Sequence, residues 1–198
     1  MSARSTDLSL GLLGLLALLA PACITPFEPT EDPTELRGSP EELARLQPAD
    51  IAVAPIRDQT NARRVPVDLF RTAFVDALVA RRYSPLALSY VDGNWVESSF
   101  RGTPPPDGLL VVAVTAWDPS HLYSTGIVHA AADVVLFEGG DTTGKVLWQL
   151  TLERDLELGN GRSQPPAPSQ ELIPKSVRLF AREALEELPL RDPVAAHP

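Results

Sequence analysis

The chain has a single cysteine among 198 residues, so no disulfide can form within it and its stability has to come from a packed core. Hydrophobic residues at 44% are enough to build one. Basic residues are scarce, 17 Lys and Arg against 26 Asp and Glu, which leaves a net charge of -9. A nucleic-acid interface needs clustered basic charge, and no such cluster is present. The same acidity repels anionic lipid surfaces, so the folded body should stand off from a membrane. Long apolar runs are also lacking. The best of them, within residues 8–23, holds about 12 apolar or small residues, where a helix crossing a bilayer needs roughly 20.

That run, LSLGLLGLLALLAPAC, has the length of the apolar region of a secretory signal and ends at the only cysteine. Residues 19–23, Leu-Ala-Pro-Ala-Cys, resemble the lipobox of bacterial lipoproteins. The resemblance implies cleavage before Cys23, a diacylglyceryl thioether on its sulfur and acylation of the new amine. Two or three acyl chains anchor a protein stably without a transmembrane helix. Cleavage by ordinary signal peptidase and retention as an uncleaved anchor are the alternatives. Ile24 is not the Asp that keeps lipoproteins at the inner membrane in enteric-type sorting, so the outer membrane facing the periplasm is the expected address.

Residues 24–38, ITPFEPTEDPTELRG, have no apolar periodicity and read as a semi-extended tether, able to reach about 45 Å when extended. Ser39-Pro40-Glu41-Glu42 is a capping-box pattern that predicts a short helix to about Leu46. Residues 50–56, DIAVAPI, predict a buried strand ended by Pro55. Pro66 then opens a helix whose stripe is Val67, Phe70, Phe74, Ala77, Leu78 and Arg81, with Arg81 and Arg82 at its negative end. Residues 86–91, LALSYV, predict a second strand, completing a βαβ unit. Breakers fill residues 92–108, an exposed excursion. Residues 109–117, 127–138 and 145–158 predict three strands in a meander, the last two a hairpin across GGDTTG; the first is a continuous apolar run suited to a centre covered on both faces. After the loop at 159–169, Leu172, Ile173, Val177, Phe180, Ala181, Ala184, Leu185 and Leu188 mark a helix stopped at Pro189. The fold class is α+β: a βαβ unit, an antiparallel three-strand meander and a C-terminal helix, with two helices on one face of a mixed sheet. The expected divisions are a signal at 1–22, lipidated cysteine, tether and short helix at 23–48, the globular domain at 49–189 and a tail at 190–198.

This order and several local sequences resemble the bacterial lipoproteins related to the curli secretion channel subunit and to the LpoB activator of penicillin-binding proteins, which share a fold like the N-terminal domain of TolB. The residues that carry the likeness are Ile51-Ala52-Val53-Ala54-Pro55, the helix from Phe70 to Tyr83 with the strand from Leu86 to Val91 after it, the strand from Asp107 to Trp117, and the hairpin from Leu136 to Trp148, whose second half is Thr143-Gly144-Lys145-Val146-Leu147-Trp148. The resemblance implies a non-catalytic accessory or scaffold subunit of an envelope assembly serving secretion, transport or peptidoglycan synthesis. An auxiliary lipoprotein of an ABC-type transporter is the alternative.

For catalysis the chain offers little. His121 and His129, with Asp118, are the residues a metal site or hydrolase would have to use, and Ser120 beside them completes a nominal triad. Neighbours along a chain rarely converge in space, so no catalytic residue, metal or cofactor is assigned. Gly139-Gly140 and Gly159-Asn160-Gly161 sit in turns rather than between a strand and a helix start. Glu153, Asp155 and Glu157 alternate along one strand as a solvated face. Trp95 and Phe100 either pack back on the sheet or present a partner-binding surface, while Trp117 and Trp148 belong to the core or its rim. The expected partners are therefore the membrane, through the lipid on Cys23, and an envelope protein complex; no nucleic acid is expected, and the oligomeric state is left open.

Overall fold

The computed structural model of the chain describes residues 34–38, 40–60, 64–158 and 169–192. Cys23 and the apolar run before it, the tether up to residue 33, Ser39, residues 159–168 and the tail beyond 192 lie outside the described residues. In chain order the first elements are β1 (Thr34–Gly38), α1 (Pro40–Leu46), β2 (Asp50–Val53), β3 (Arg57–Asp58), α2 (Val67–Ala80) and β4 (Ser84–Pro85). They are followed by α3 (Leu88–Gly93), β5 (Trp95–Val96), β6 (Ser99–Phe100), β7 (Gly108–Asp118), β8 (Ile127–Glu138), β9 (Val146–Glu157) and α4 (Ser169–Ala184).

One mixed sheet runs in the order β1-β9-β8-β7-β2-β4, with β3 extending the β7 ladder. The β7-β8-β9 meander is antiparallel, and β2 runs parallel to both β7 and β4, so β2, α2 and β4 form the βαβ unit. Alternation sorts the strand side chains between two faces. Ile51, Val53, Leu110, Val112, Val134, Leu136 and Leu150 share a core with Phe70, Phe74 and Leu78 of α2 and Val177, Phe180 and Ala181 of α4. Ala52, Ala54, Leu109 and Val111 point the other way and are covered by Val91 of α3 and by Phe100. Residues 108–114 of β7 are thus buried on both faces, as the apolar run predicts.

The entrance to the central strands is stitched by one carboxylate. Asp107 Oδ2 accepts the backbone N–H groups of Ala49 (2.8 Å) and Asp50 (3.0 Å), so β2 starts level with β7. Gly108 is closely packed against the same core, since a Cβ there would lie 3.0 Å from Ile51 Cδ1 and 3.1 Å from Leu136 Cδ1.

Several expectations are corrected. Residues 86–91 do not continue as a strand: pairing stops after Leu86 N donates to Ile51 O (2.9 Å), and Tyr90 and Val91 then donate to Ala87 O. A short apolar run fits helix or strand equally in sequence, and here a helix sets Val91 on the sheet. Thr34–Gly38, read as tether, is an edge strand whose partner β9 supplies the ladder that its own sequence does not advertise. Residues 92–108 are not simply an exposed excursion, because β5 and β6 form a hairpin that packs back, with Phe100 6% exposed and edge-on to Tyr90 at 5.5 Å. Its turn residues Glu97 and Ser98 have φ of 45° and 72°, the left-handed values of a type I′ turn.

Arg81 is not part of the buried stripe of α2. It lies past the helix end and donates through Nε to Leu188 O (2.8 Å), while the Tyr83 hydroxyl donates to Pro189 O (3.0 Å). These contacts clasp the chain after α4 to the end of α2. Burial pushes the Tyr83 phenol up from 10.0 to about 12, against the lowering influence of Arg81 and Arg191. The folded state therefore holds this proton more tightly than the unfolded chain does. Stability from it is complete below pH 10 and is lost as pH rises through 10 to 12, by an amount of order 2 kcal/mol. Denaturant midpoints measured from pH 9 to 12 should fall more steeply for wild type than for Tyr83→Phe; parallel slopes would refute this.

Candidate functional site

The meander outruns its cover. Beyond α3 and the β5-β6 hairpin, the second face of β7, β8 and β9 is built of small and polar residues. Ala113 and Ala131 lie level with the backbone, and Asp133 accepts the Thr151 hydroxyl at 2.7 Å. A bulge between Val114 and Ala116 shifts the β7 register and brings Asp118 opposite His129, which in turn sits opposite Asp155 on β9. Without the extra residue, Asp118 would face the other side of the sheet.

His129 is held between two carboxylates. Its Nδ1 lies 2.9 Å from Asp155 Oδ1 and its Nε2 3.3 Å from Glu153 Oε1. A carboxylate only accepts, so each contact is a hydrogen bond when the facing nitrogen carries its hydrogen, and the doubly protonated ring satisfies both. A neutral ring can make only one of the two contacts a hydrogen bond, its other nitrogen then carrying a lone pair. Asp118 is likewise occupied: the backbone N–H of Ser120 donates to its Oδ1 at 2.9 Å, and that bond is the main reason its carboxyl is held below the usual carboxylate range.

The nominal triad residues thus do different work. Asp118 caps the turn at Ser120, and the backbone carbonyl of exposed His121 accepts Thr125 N–H at 2.9 Å to close the 119–126 loop. Among the described residues, no group of three or more His, Cys, Asp and Glu side chains is arranged to hold a metal ion. Glu153, Asp155 and Glu157 are exposed on one strand face, as their alternation predicts. The sequence reading missed the partnership of two of them with His129, because the pairing depends on cross-strand register. Gly139 and Gly140 occupy the β8-β9 turn, and Gly140 O accepts Phe100 N–H at 2.8 Å, which docks the aromatic hairpin there. Trp117 and Trp148 are buried, 5% and 4% exposed. No helix among the described residues is long and apolar enough to cross a membrane.

This face can make polar and electrostatic contacts through Asp118, Glu153 and Asp155, which are exposed on it. No family model matches the chain, and no curated protein matches it. Among solved structures, two of the PelC dodecamer from Paraburkholderia phytofirmans are similar to it at 16% identity, with TM-scores of 0.49 and 0.50, covering 80% of this chain and 98% of that one. Lipoprotein GNA1162 from Neisseria meningitidis is similar at 15% identity and a TM-score of 0.42, covering 71% of this chain and 99% of that one. At these identities the likeness is one of fold, and the PelC structure at 0.50 shares that fold along most of this chain.

Proposed function

We propose that this chain is a lipid-anchored, non-catalytic accessory or scaffold subunit of a cell-envelope assembly, carried on Cys23 and facing the periplasm, with the outer membrane as its expected home. The observation behind this reading is the fold that this chain shares with the PelC structure. The N-terminal segment that ends at Cys23 supports the anchor, and the dodecameric state of PelC supports a role as one subunit of a larger body.

Two variants test the proposal. Cys23→Ser should move the protein from the membrane to the soluble fraction, since the acyl chains supply the retention; unchanged residence at the membrane would defeat the anchor. A His121→Ala, His129→Ala double variant should co-purify with the same envelope proteins as wild type from solubilised membranes and keep any phenotype. Loss of the phenotype with co-purification intact would point to chemistry instead.

A further inference from the structure

A groove of about 560 Å³ runs between α2 and α4, on the opposite side of the sheet from Asp118, Glu153 and Asp155. Its walls are two helical stripes of the same spacing. Ala73, Asp76, Ala77 and Ala80 line it from α2, and Lys175, Arg178, Leu179 and Arg182 from α4, each set at positions i, i+3, i+4 and i+7. Leu158 and Glu157 close the end at β9. The floor is thus mostly apolar and shallow, because three of the α2 residues are alanines.

The rim is unusual for this chain. In a protein of net charge -9, three cations stand in a row along one wall. Lys175 Nζ donates to Leu158 O at 3.2 Å, and among the described residues neither Arg178 nor Arg182 has an ion-pair partner. Asp76 is the carboxylate on the other wall, and the chain at Glu157 borders the groove's end.

We infer that this groove docks an amphipathic helix of a partner protein, one whose apolar edge seats on the alanine floor and whose flank carries carboxylates about one turn apart. The inference rests on the reading of the chain as an assembly subunit. Two helices that each offer an i, i+3, i+4, i+7 stripe form the seat that a third helix fills. The cations span seven residues of α4, about 10 Å at the helical rise, which matches a row of acidic side chains on a helix. A lipid headgroup would instead require them to converge on one point.

The test uses the full-length protein and two synthetic 18-residue helical peptides with the same Ala/Leu edge. One carries Glu at i, i+4, i+7 and i+11 on the adjoining flank, and the other carries Lys there. The Glu peptide should bind and the Lys peptide should not. Arg178→Glu with Arg182→Glu should weaken the Glu peptide at least tenfold and admit the Lys peptide; these residues are exposed on α4, so circular dichroism should be unchanged. The inference is overturned if neither peptide binds, if both bind alike, or if the charge reversal has no effect. It is also overturned if the arginines are needed only for binding phosphatidylglycerol vesicles or for self-association. Co-purification of the envelope partners tells the two readings apart: if it persists while the peptide test fails, the groove assignment falls and the subunit reading stands.

Discussion

Phe70→Ala should lower the unfolding free energy by about 3–5 kcal/mol, the range for removing a buried aromatic ring from a packed core. Phe70 has no solvent exposure and makes edge-on contacts with Trp117 of β7, at a centroid distance of 5.2 Å, and with Phe180 of α4 at 5.8 Å. One ring thus ties both helices to the central strand, so its loss opens a void that no single element can collapse to fill. Domains of this size have about 5–15 kcal/mol of stability, so this one ring accounts for a large share of the total. Equilibrium urea unfolding checks this: the midpoint should drop with the slope unchanged, and a loss below about 1 kcal/mol would mean that the three elements do not depend on this contact. Phe70→Leu, which keeps most of the volume, should recover more than half of the loss.

Arg71→Met should cost about 2–4 kcal/mol, for a reason that concerns hydrogen bonding rather than volume. The Arg71 guanidinium is buried beneath the end of β2, where Nε and Nη2 donate to Val53 O at 3.2 and 2.9 Å, and Nη1 pairs with Asp92 of α3 at 2.5 Å. Methionine fills the space but leaves the Val53 carbonyl without these donors. Asp92 is half exposed, at 53%, so Asp92→Asn should cost much less, about 0.5–1 kcal/mol. A double-mutant cycle separates the terms: a coupling energy as large as the whole Arg71→Met effect would show that the ion pair dominates, contrary to this account. Amide exchange in α3 should quicken in both single variants, because Asp92 is its tie to α2.

The parts of the fold legible in the sequence are those whose pattern is set by burial. The stripe of Phe70, Phe74, Ala77 and Leu78 marks α2, and the alternation within residues 127–138 and 146–157 marks the hairpin, because each face of those elements meets one environment. The parts that were not legible get their structure from elsewhere. Thr34–Gly38 becomes a strand because β9 presents an unpaired edge, and the turn at Glu97 and Ser98 forms without the Asn-Gly pair that usually announces it. For the candidate site, His129 and the carboxylates at 153 and 155 could be named from sequence. Their meeting could not, since it rests on strand pairing, and the approach of Asp118 rests on the bulge at Thr115. The row Lys175, Arg178, Arg182 has a readable spacing, but its meaning depends on the alanines of α2 standing opposite.

The clasp at the end of α2 bears on how the chain comes to be folded. Arg81 and Tyr83 take acceptors at Leu188 and Pro189, 107 and 106 residues downstream, and Arg191 Nε reaches back 144 residues to Gln47 O. A chain made from its N-terminus has almost all of itself synthesised before those acceptors exist, so the last clasp cannot close on a nascent polypeptide. The clasp therefore closes only once residues 188–191 have been made and can reach the end of α2 and Gln47.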